Sequence, residues 1–511
     1  MRRKLFRITS KTASLILITL WLAGTAPLAA RTMYLSTTGD DSSPCAHGSE
    51  FHTLPRAFSC LAAGDTLIIR NGTYIGGLIA DSLIGTAQAP ILIQGESLGA
   101  VIKGTEANRD ALRLYRSSYV TVDRITAREA TRAGIGIIFC DHITVTNSCC
   151  ADNGKWGILT GFADDVHFEG NECYGSVEEH GIYHSNSGDR FVIRGNVLHH
   201  NGGCGIHLNG DPELQPGDGV LNFGLVERNI IYKNGLNGGA GINMTHVQDV
   251  IARNNLIYDN YAGGFTAYQD TGTVEQKSKK IVILGNTVYF RRYSGRSCVN
   301  VQTTSEKIVI AGNILVSGGI NEQVPLLIAS EHQNTIVSDY NILWGTETAE
   351  MVIRQQQQIS LEQWRSYSNN DLHSIAADPQ FVSIDSADFR LSNNSPAIDA
   401  GMPLDTLKAH LERLGGFEWI LARLDSLPND DILTNTRPAG AGPDAGAYES
   451  GSDPAELYDF NGDARFNIVD AVSLILLAGK DPENPRFDIN ADGVYSIADL
   501  IELLLFLVKS T

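Results

Sequence analysis

Basic residues and proline are what this 511-residue sequence is short of. Lysine and arginine number 39 against 58 aspartates and glutamates, for a formal net charge of −19. So acidic a chain lacks the basic face that phosphate backbones require, which argues against nucleic acid as a partner. Proline occurs only 16 times, whereas glycine occurs 51 times. Abundant glycine beside an ordinary hydrophobic content of 43% points to many tight turns and excludes a disordered chain. At this length one compact core does not suffice, so several domains or an elongated repeat are expected.

The apolar stretch near the N-terminus, Ala13 to Gly24, is too short to span a bilayer comfortably. Arg2, Arg3, Lys4, Arg7 and Lys11 precede or open it, and Ala29 and Ala30 follow it. Residues 1–30 therefore read as a secretory signal peptide, with Leu28 an imperfect residue at the −3 place. No cysteine follows the stretch, so a lipid anchor is not expected. The expected location is extracellular or at the cell surface, with no stable membrane insertion after signal removal. Export also permits disulfides among the eight cysteines.

Residues 134 to 343 repeat themselves. A short β-type run ending in asparagine recurs at Asn147, Asn171, Asn196, Asn229, Asn255, Asn286, Asn313 and Asn341, at spacings of 24, 25, 33, 26, 31, 27 and 28. Two residues after each asparagine stands an apolar residue: Cys149, Cys173, Leu198, Ile231, Ile257, Val288, Leu315 and Leu343. A Gly-Ile or Gly-Phe pair opens another strand at Gly136, Gly157, Gly181, Gly205, Gly241 and Gly264, and Cys298-Val299 replaces it once. Each repeat thus holds three short strands and three turns, a unit that buries its apolar face only by stacking on copies of itself. Asparagine suits the bend because it tolerates left-handed backbone and can bond to its stacked copies.

This pattern resembles the right-handed parallel β-helix, an all-β solenoid, here assigned to residues 31–449. The stretches at Tyr34, Phe51 and Ala63–Tyr74 resemble the opening of many secreted β-helix proteins, in which a helix caps the first coil. The resemblance implies that Cys45 and Cys60 staple that cap. Cys149 and Cys173 fall at equivalent places in adjacent coils and either pair or are small buried residues. The stack is expected to end after Asn341. Asp378–Phe381, Asp388–Leu391, Ser395–Gly401 and Arg437–Glu449 resemble the family's closing segment, with 404–430 a helical insertion.

Two twelve-residue loops near the C-terminus carry oxygen ligands at calcium-binding spacing. Asp459, Asn461, Asp463, Asn467 and Asp470 occupy positions 1, 3, 5, 9 and 12 of the first. Asp488, Asn490, Asp492, Ser496 and Asp499 repeat that spacing, and Arg465 and Val494 would each give a backbone carbonyl. Each loop leads into an apolar helix. The duplication, with Asp at position 12, resembles a type I dockerin, a small α-helical domain of paired EF-hand-like loops over 456–511, after a linker at 450–455. Ala464 stands where loop 1 would usually have glycine. The resemblance implies two Ca²⁺ ions and a cohesin-type scaffold or cell-surface partner, met near Ile468-Val469 and Ile497-Ala498.

If the Ile of each Gly-Ile pair points inward, the next residue points out. That outward column is Ile138, Leu159, Tyr183, His207, Asn243, Thr266 and Asn300, and two residues on it is Cys140, Gly161, Ser185, Asn209, Thr245, Tyr268 and Gln302. Tyr183, Ser185, His207, Asn209, Asn243, Thr245 and Tyr268 gather on one face, with His184 pointing inward. The insertion Asn209–Phe223 leaves this face carrying Asp211, Glu213 and Asp218, and a second, Gln269–Lys280, borders it with Lys277, Lys279 and Lys280. Tyrosine faces and amides suit an extended polysaccharide. The columns hold no carboxylate pair of the kind glycoside hydrolysis needs; only Asp211, Asp218, Glu178 or Glu179 stand near. Tyr183 and His207 fit an acid and a base, and Asn209 or Asn243 a partner for a sugar carboxylate. Ser185, Thr245, Tyr268 and Asp211 complete the substrate-binding set. The inventory favours a polysaccharide lyase acting by β-elimination on uronic acids. A C5 epimerase, a β-helix glycoside hydrolase and a non-catalytic binding or adhesion protein remain open.

Overall fold

The computed structural model describes residues 30–450 except 108, 292–295, 303, 319–322, 347–349 and 355–356, and beyond them 468–478, 489, 496, 499–501 and 503–504. The signal peptide, most of the linker, and calcium ligands Asp459, Asn461, Asp463, Arg465, Asn467, Asp488, Asn490, Asp492 and Val494 lie outside the described residues. No described helix is long and apolar enough to cross a membrane.

Three short strands per repeat cannot cover their own apolar side chains, and the chain solves this by coiling. About 11 turns stack into three parallel sheets. Sheet A has 13 strands, starting at Thr32–Leu35 with Glu50–Phe51 paired beside it and ending at Val337–Asp339. Sheet B has 12, from Gly72–Ile75 to Ile375–Ala376, and sheet C has 12, from Leu78–Asp81 through Glu350–Arg354 to Gln357–Ser360. Only the last pair of sheet C is antiparallel. The expected end at Asn341 is thus too early. The final coil closes through Trp364, fully buried on the helix Leu361–Ser368, where the asparagine signal has already stopped.

Like side chains stack along the axis. Ile158, Ile182, Ile206, Ile242, Phe265, Val299, Leu326 and Val352 form one inward row of sheet C, all fully buried. The asparagine signal is a buried ladder: Asn171, Asn196, Asn229, Asn255, Asn286 and Asn313 each have their backbone N–H bonded to Oδ1 of the next, ending at Asn341. Asn147 is not a rung. Ser148 takes that place, its N–H donating to Asn171 Oδ1, while Asn147 sits one residue early at φ 47°. The same one-residue slip corrects the cysteine column: Cys150, not Cys149, lies opposite Cys173, and all three are buried and unbridged. A second ladder, not anticipated, runs through Asn201, Asn234 and Asn260 at the other end of the sheet-B strands.

The Cys45–Cys60 disulfide forms at the cap, behind the helix Leu54–Ser59. The helical insertion is real, as helices Leu404–Leu414 and Glu418–Ser426. Leu407, Leu411, Phe417, Ile420 and Leu424 lie against the outer face of sheet A, on Leu225, Ile251, Val282 and Val309. Phe389, Ala397, Ile432 and Tyr448 cover the outer face of sheet B on Tyr232, Tyr258, Tyr289 and Ile314. The closing segment therefore clothes two of the three sheets along part of their length, and neither cluster includes sheet C.

Candidate functional site

The outward row of sheet C holds from Leu159 onward: Leu159, Tyr183, His207, Asn243, Thr266 and Asn300 are direct neighbours across successive strands. One coil earlier the register differs from expectation. Gly136, not Ile138, lies opposite Leu159, and Ile138 lies opposite Gly161. The segment Ala133–Ile138 contains two Gly-Ile pairs two residues apart, and a period of two cannot choose between them. Cys140 is then buried in the turn beyond, where Ser117 N–H donates to its Sγ.

In the second row, Asn209, Thr245 and Tyr268 align as expected, but two members are enclosed. Ser185 is 2% exposed and its hydroxyl donates to Thr160 O, and Thr245 is fully buried. Both side chains are closed off from solvent, Ser185 on Thr160 and Thr245 beside the Tyr268 hydroxyl. His184 is inward as expected, against Thr160 Oγ1 at 2.7 Å and the ring of Phe191.

The remaining residues form one cluster. Tyr183 stacks on Trp156 at 5.2 Å and tilts against His180 and His207 at 5.2 and 5.3 Å. Asn209 Nδ2 donates to the Tyr183 hydroxyl oxygen at 2.8 Å. Glu179 accepts from Trp156 Nε1 and from Lys155 Nζ, both at 3.1 Å, and lies 3.6 Å from His180. Burial pushes Tyr183 up to about 12 despite the Asn209 bond, and pushes His180 down to about 4 and His207 to about 3. All three are therefore neutral at pH 7. Trp156 and His180 escaped the sequence reading because they precede the Gly-Ile pairs at Gly157 and Gly181, whereas Glu179 was among the carboxylates it placed near the face.

Clefts flank the cluster at both ends. One of about 220 Å³ is lined by Arg109, Thr131, Arg132, Lys155 and Trp156. The other, about 240 Å³, includes Asn243, Thr266, Tyr268, Arg296, Asn300 and Gln302. The two insertions meet beside the strip, where Gln276 Nε2 donates to Asp218 O over a hollow of about 500 Å³. Asp211 begins the first insertion, its carboxylate accepting from Glu213 N–H. The insertion lysines turn elsewhere: Lys277 pairs with Glu306 and Lys280 with Asp249.

His180, Cys204 and His207 bring potential metal-ligand atoms within 4.8 Å of one another. They do not fit a metal. Cys204 N–H donates to His180 Nδ1 at 2.9 Å, so a neutral His180 carries its proton on Nε2, the nitrogen that faces His207. A metal-bound imidazole instead donates from its second nitrogen.

Comparison with known proteins agrees with this architecture. The family model described as right handed beta helix region matches residues 91–216. The uncharacterized protein YwoF of Bacillus subtilis (strain 168) is 26% identical over 452 residues, taking in 71% of this chain and 92% of that protein. Among solved structures, pectate lyase Pel9A superposes with a TM-score of 0.51 at 14% identity, covering 83% of this chain and 97% of that one. An alginate lyase from Paenibacillus sp. str. FPU-7 gives a TM-score of 0.41 at 19% identity, covering 54% and 93%. The chain is a right-handed parallel β-helix, and its structural neighbours include polysaccharide lyases.

Proposed function

We propose that this chain is a carbohydrate-active enzyme, a polysaccharide lyase that cleaves a uronic-acid polysaccharide by β-elimination. One observation carries the reading: Trp156, Tyr183, His207 and Asn209 cluster on the sheet that the closing segment leaves bare, between a cationic and an amide-rich cleft. Aromatic faces suit sugar rings and amides suit hydroxyls. Arg109, Arg132 and Lys155 line the first cleft, Arg132 paired with Asp110 and Lys155 with Glu178 and Glu179, and a substrate carboxylate would compete for these cations on a chain that is acidic overall. The Asn209 bond to Tyr183 favours the phenolate. Once ionised, Tyr183 takes the C5 proton; the C5–H electron pair becomes the C4=C5 double bond as the C4–O4 bond breaks, and the proton passes to the leaving oxygen. Asn243, one coil beyond His207, would meet the substrate carboxyl group on this reading.

Full-length protein incubated with anionic and neutral polysaccharides, with products read by mass spectrometry, tests this. The expected product has an unsaturated non-reducing end. Saturated new ends would make it a hydrolase, deuterium uptake at C5 without cleavage an epimerase, and binding alone an adhesion module.

We further propose that residues 1–30 direct export and that a dockerin over 456–511 holds two Ca²⁺ ions and docks on a cohesin-type scaffold. The donor set is oxygen-only, which suits a hard cation. Support comes from the position-12 carboxylates: Asp470 and Asp499 are both fully buried, and Ser496 N–H donates to Asp499 Oδ2 at 2.6 Å. Calorimetric titration of chelator-treated protein is expected to show two calcium sites, and Asp470→Ala and Asp499→Ala to remove one each.

A further inference from the structure

We infer that His180 is a positioning residue that locks His207 in a single tautomer, making His207 a hydrogen-bond donor to bound substrate and not the acceptor of its proton. The chain of hydrogen bonds starts at the backbone. Cys204 N–H donates to His180 Nδ1 at 2.9 Å, so that nitrogen carries the lone pair and the ring proton sits on Nε2. His180 Nε2 lies 3.0 Å from His207 Nδ1. One hydrogen occupies that contact, and His180 supplies it. His207 Nδ1 is therefore the acceptor, and the proton of His207 sits on its Nε2.

That Nε2 is enclosed, and no acceptor reaches it. Buried donors are nearly always paired, so an unpaired one marks a place that something else completes. The His207 ring is half-buried in the outward row, 5.3 Å from Tyr183. We assign the missing acceptor to a ligand oxygen, which reaches this nitrogen once a side chain that now closes over it turns aside.

Two further features hold the arrangement. Both rings are neutral because burial disfavours their charged forms, and at His207 the neighbouring His180 adds to that. Gly203 leaves room for His180: a Cβ there would come within 2.5 Å of His180 Nδ1.

The identity of the acceptor, a uronic-acid carboxylate next to C5, rests on the lyase reading; the tautomer lock does not. The proton acceptor of the reaction is then Tyr183. Histidine-selective ¹⁵N labelling of the full chain, with long-range ¹H–¹⁵N correlation and assignment by His207→Gln, tests the lock. At neutral pH, His207 is expected to show a protonated Nε2 and a bare Nδ1. His180→Leu removes the donor and is expected to give a mixture of His207 tautomers. His180→Gln, whose amide can still donate, is expected to restore one.

On a uronic-acid oligosaccharide, His180→Leu is expected to lower kcat by about tenfold or more with a smaller change in KM, and His180→Gln to recover most of it. A wild-type His207 protonated on Nδ1 overturns the inference, as does unchanged kcat alongside a scrambled tautomer. If no oligosaccharide is turned over, the wild-type tautomer still decides the lock, and only the lyase reading fails.

Discussion

Tyr183 is pulled two ways: burial against Trp156 raises its pKa, and the Asn209 amide lowers it, with burial prevailing at about 12 against an ordinary 10. A base that ionises so high is scarce at neutral pH, so kcat of a lyase built on it is expected to rise steadily with pH on the alkaline side. Tyr183→Phe is expected to abolish that rise and cost at least about a hundredfold in kcat. Histidine burial acts on stability instead. His180, His184 and His200 sit at about 4 and His207 at about 3, against an ordinary 6.5. Below pH 6.5 the unfolded chain binds protons that the folded chain refuses. Stability from these neutral rings is thus complete above pH 6.5 and declines as pH falls toward 4. Thermal melts across that window are expected to show Tm falling, with a shallower fall in His184→Leu. At this scale the sequence was legible for Tyr183, His207, Asn209 and Asn243, since strand alternation fixes which way they point. It put Ser185 and Thr245 on the same open face, because alternation gives the direction of a side chain and not what covers it. It was silent on His180, whose role comes from a backbone N–H one coil away.

The strands and bends owe their register to the buried asparagines. Asn255 Oδ1 accepts from both N–H and Nδ2 of Asn229, and its Nδ2 donates to Val226 O and Asn286 Oδ1. Asn255→Ala would remove four buried hydrogen bonds, leaving Asn229 N–H without its acceptor, and is expected to cost about 3 kcal/mol, measurable by denaturant unfolding. Asn147, exposed on its turn at φ 47° and bonded to Asp123, is expected to lose only about 1 kcal/mol as alanine, from the left-handed backbone and not from a ladder. Repeats made this ladder readable, and they also explain the errors. Where Ser148 replaces asparagine, the neighbouring Asn147 offers a false rung; where Gly134-Ile135 and Gly136-Ile137 compete, the outward row begins at the wrong residue. The second ladder was equally periodic, Asn201, Asn234 and Asn260 each standing five residues after a rung of the first, and was overlooked.

Across the molecule, the closing segment decides which face is free. Its helices bury apolar side chains on the outer row Leu225, Ile251, Val282 and Val309. That row was visible as apolar residues at positions that should have faced water, whereas the path of the covering segment was not, since no local pattern specifies so distant a contact. Leu411→Asp places a charge in that seam and is expected to loosen the helices, raising proteolysis between 400 and 430 and destabilising by about 3 kcal/mol or more. Sheet C presents its groups one coil at a time, about 4.8 Å apart. On the lyase reading it would serve as a ruler laid along a polymer. Losing or gaining one whole coil would change the length of ligand it measures by one fixed division, while every other mark stays where it was.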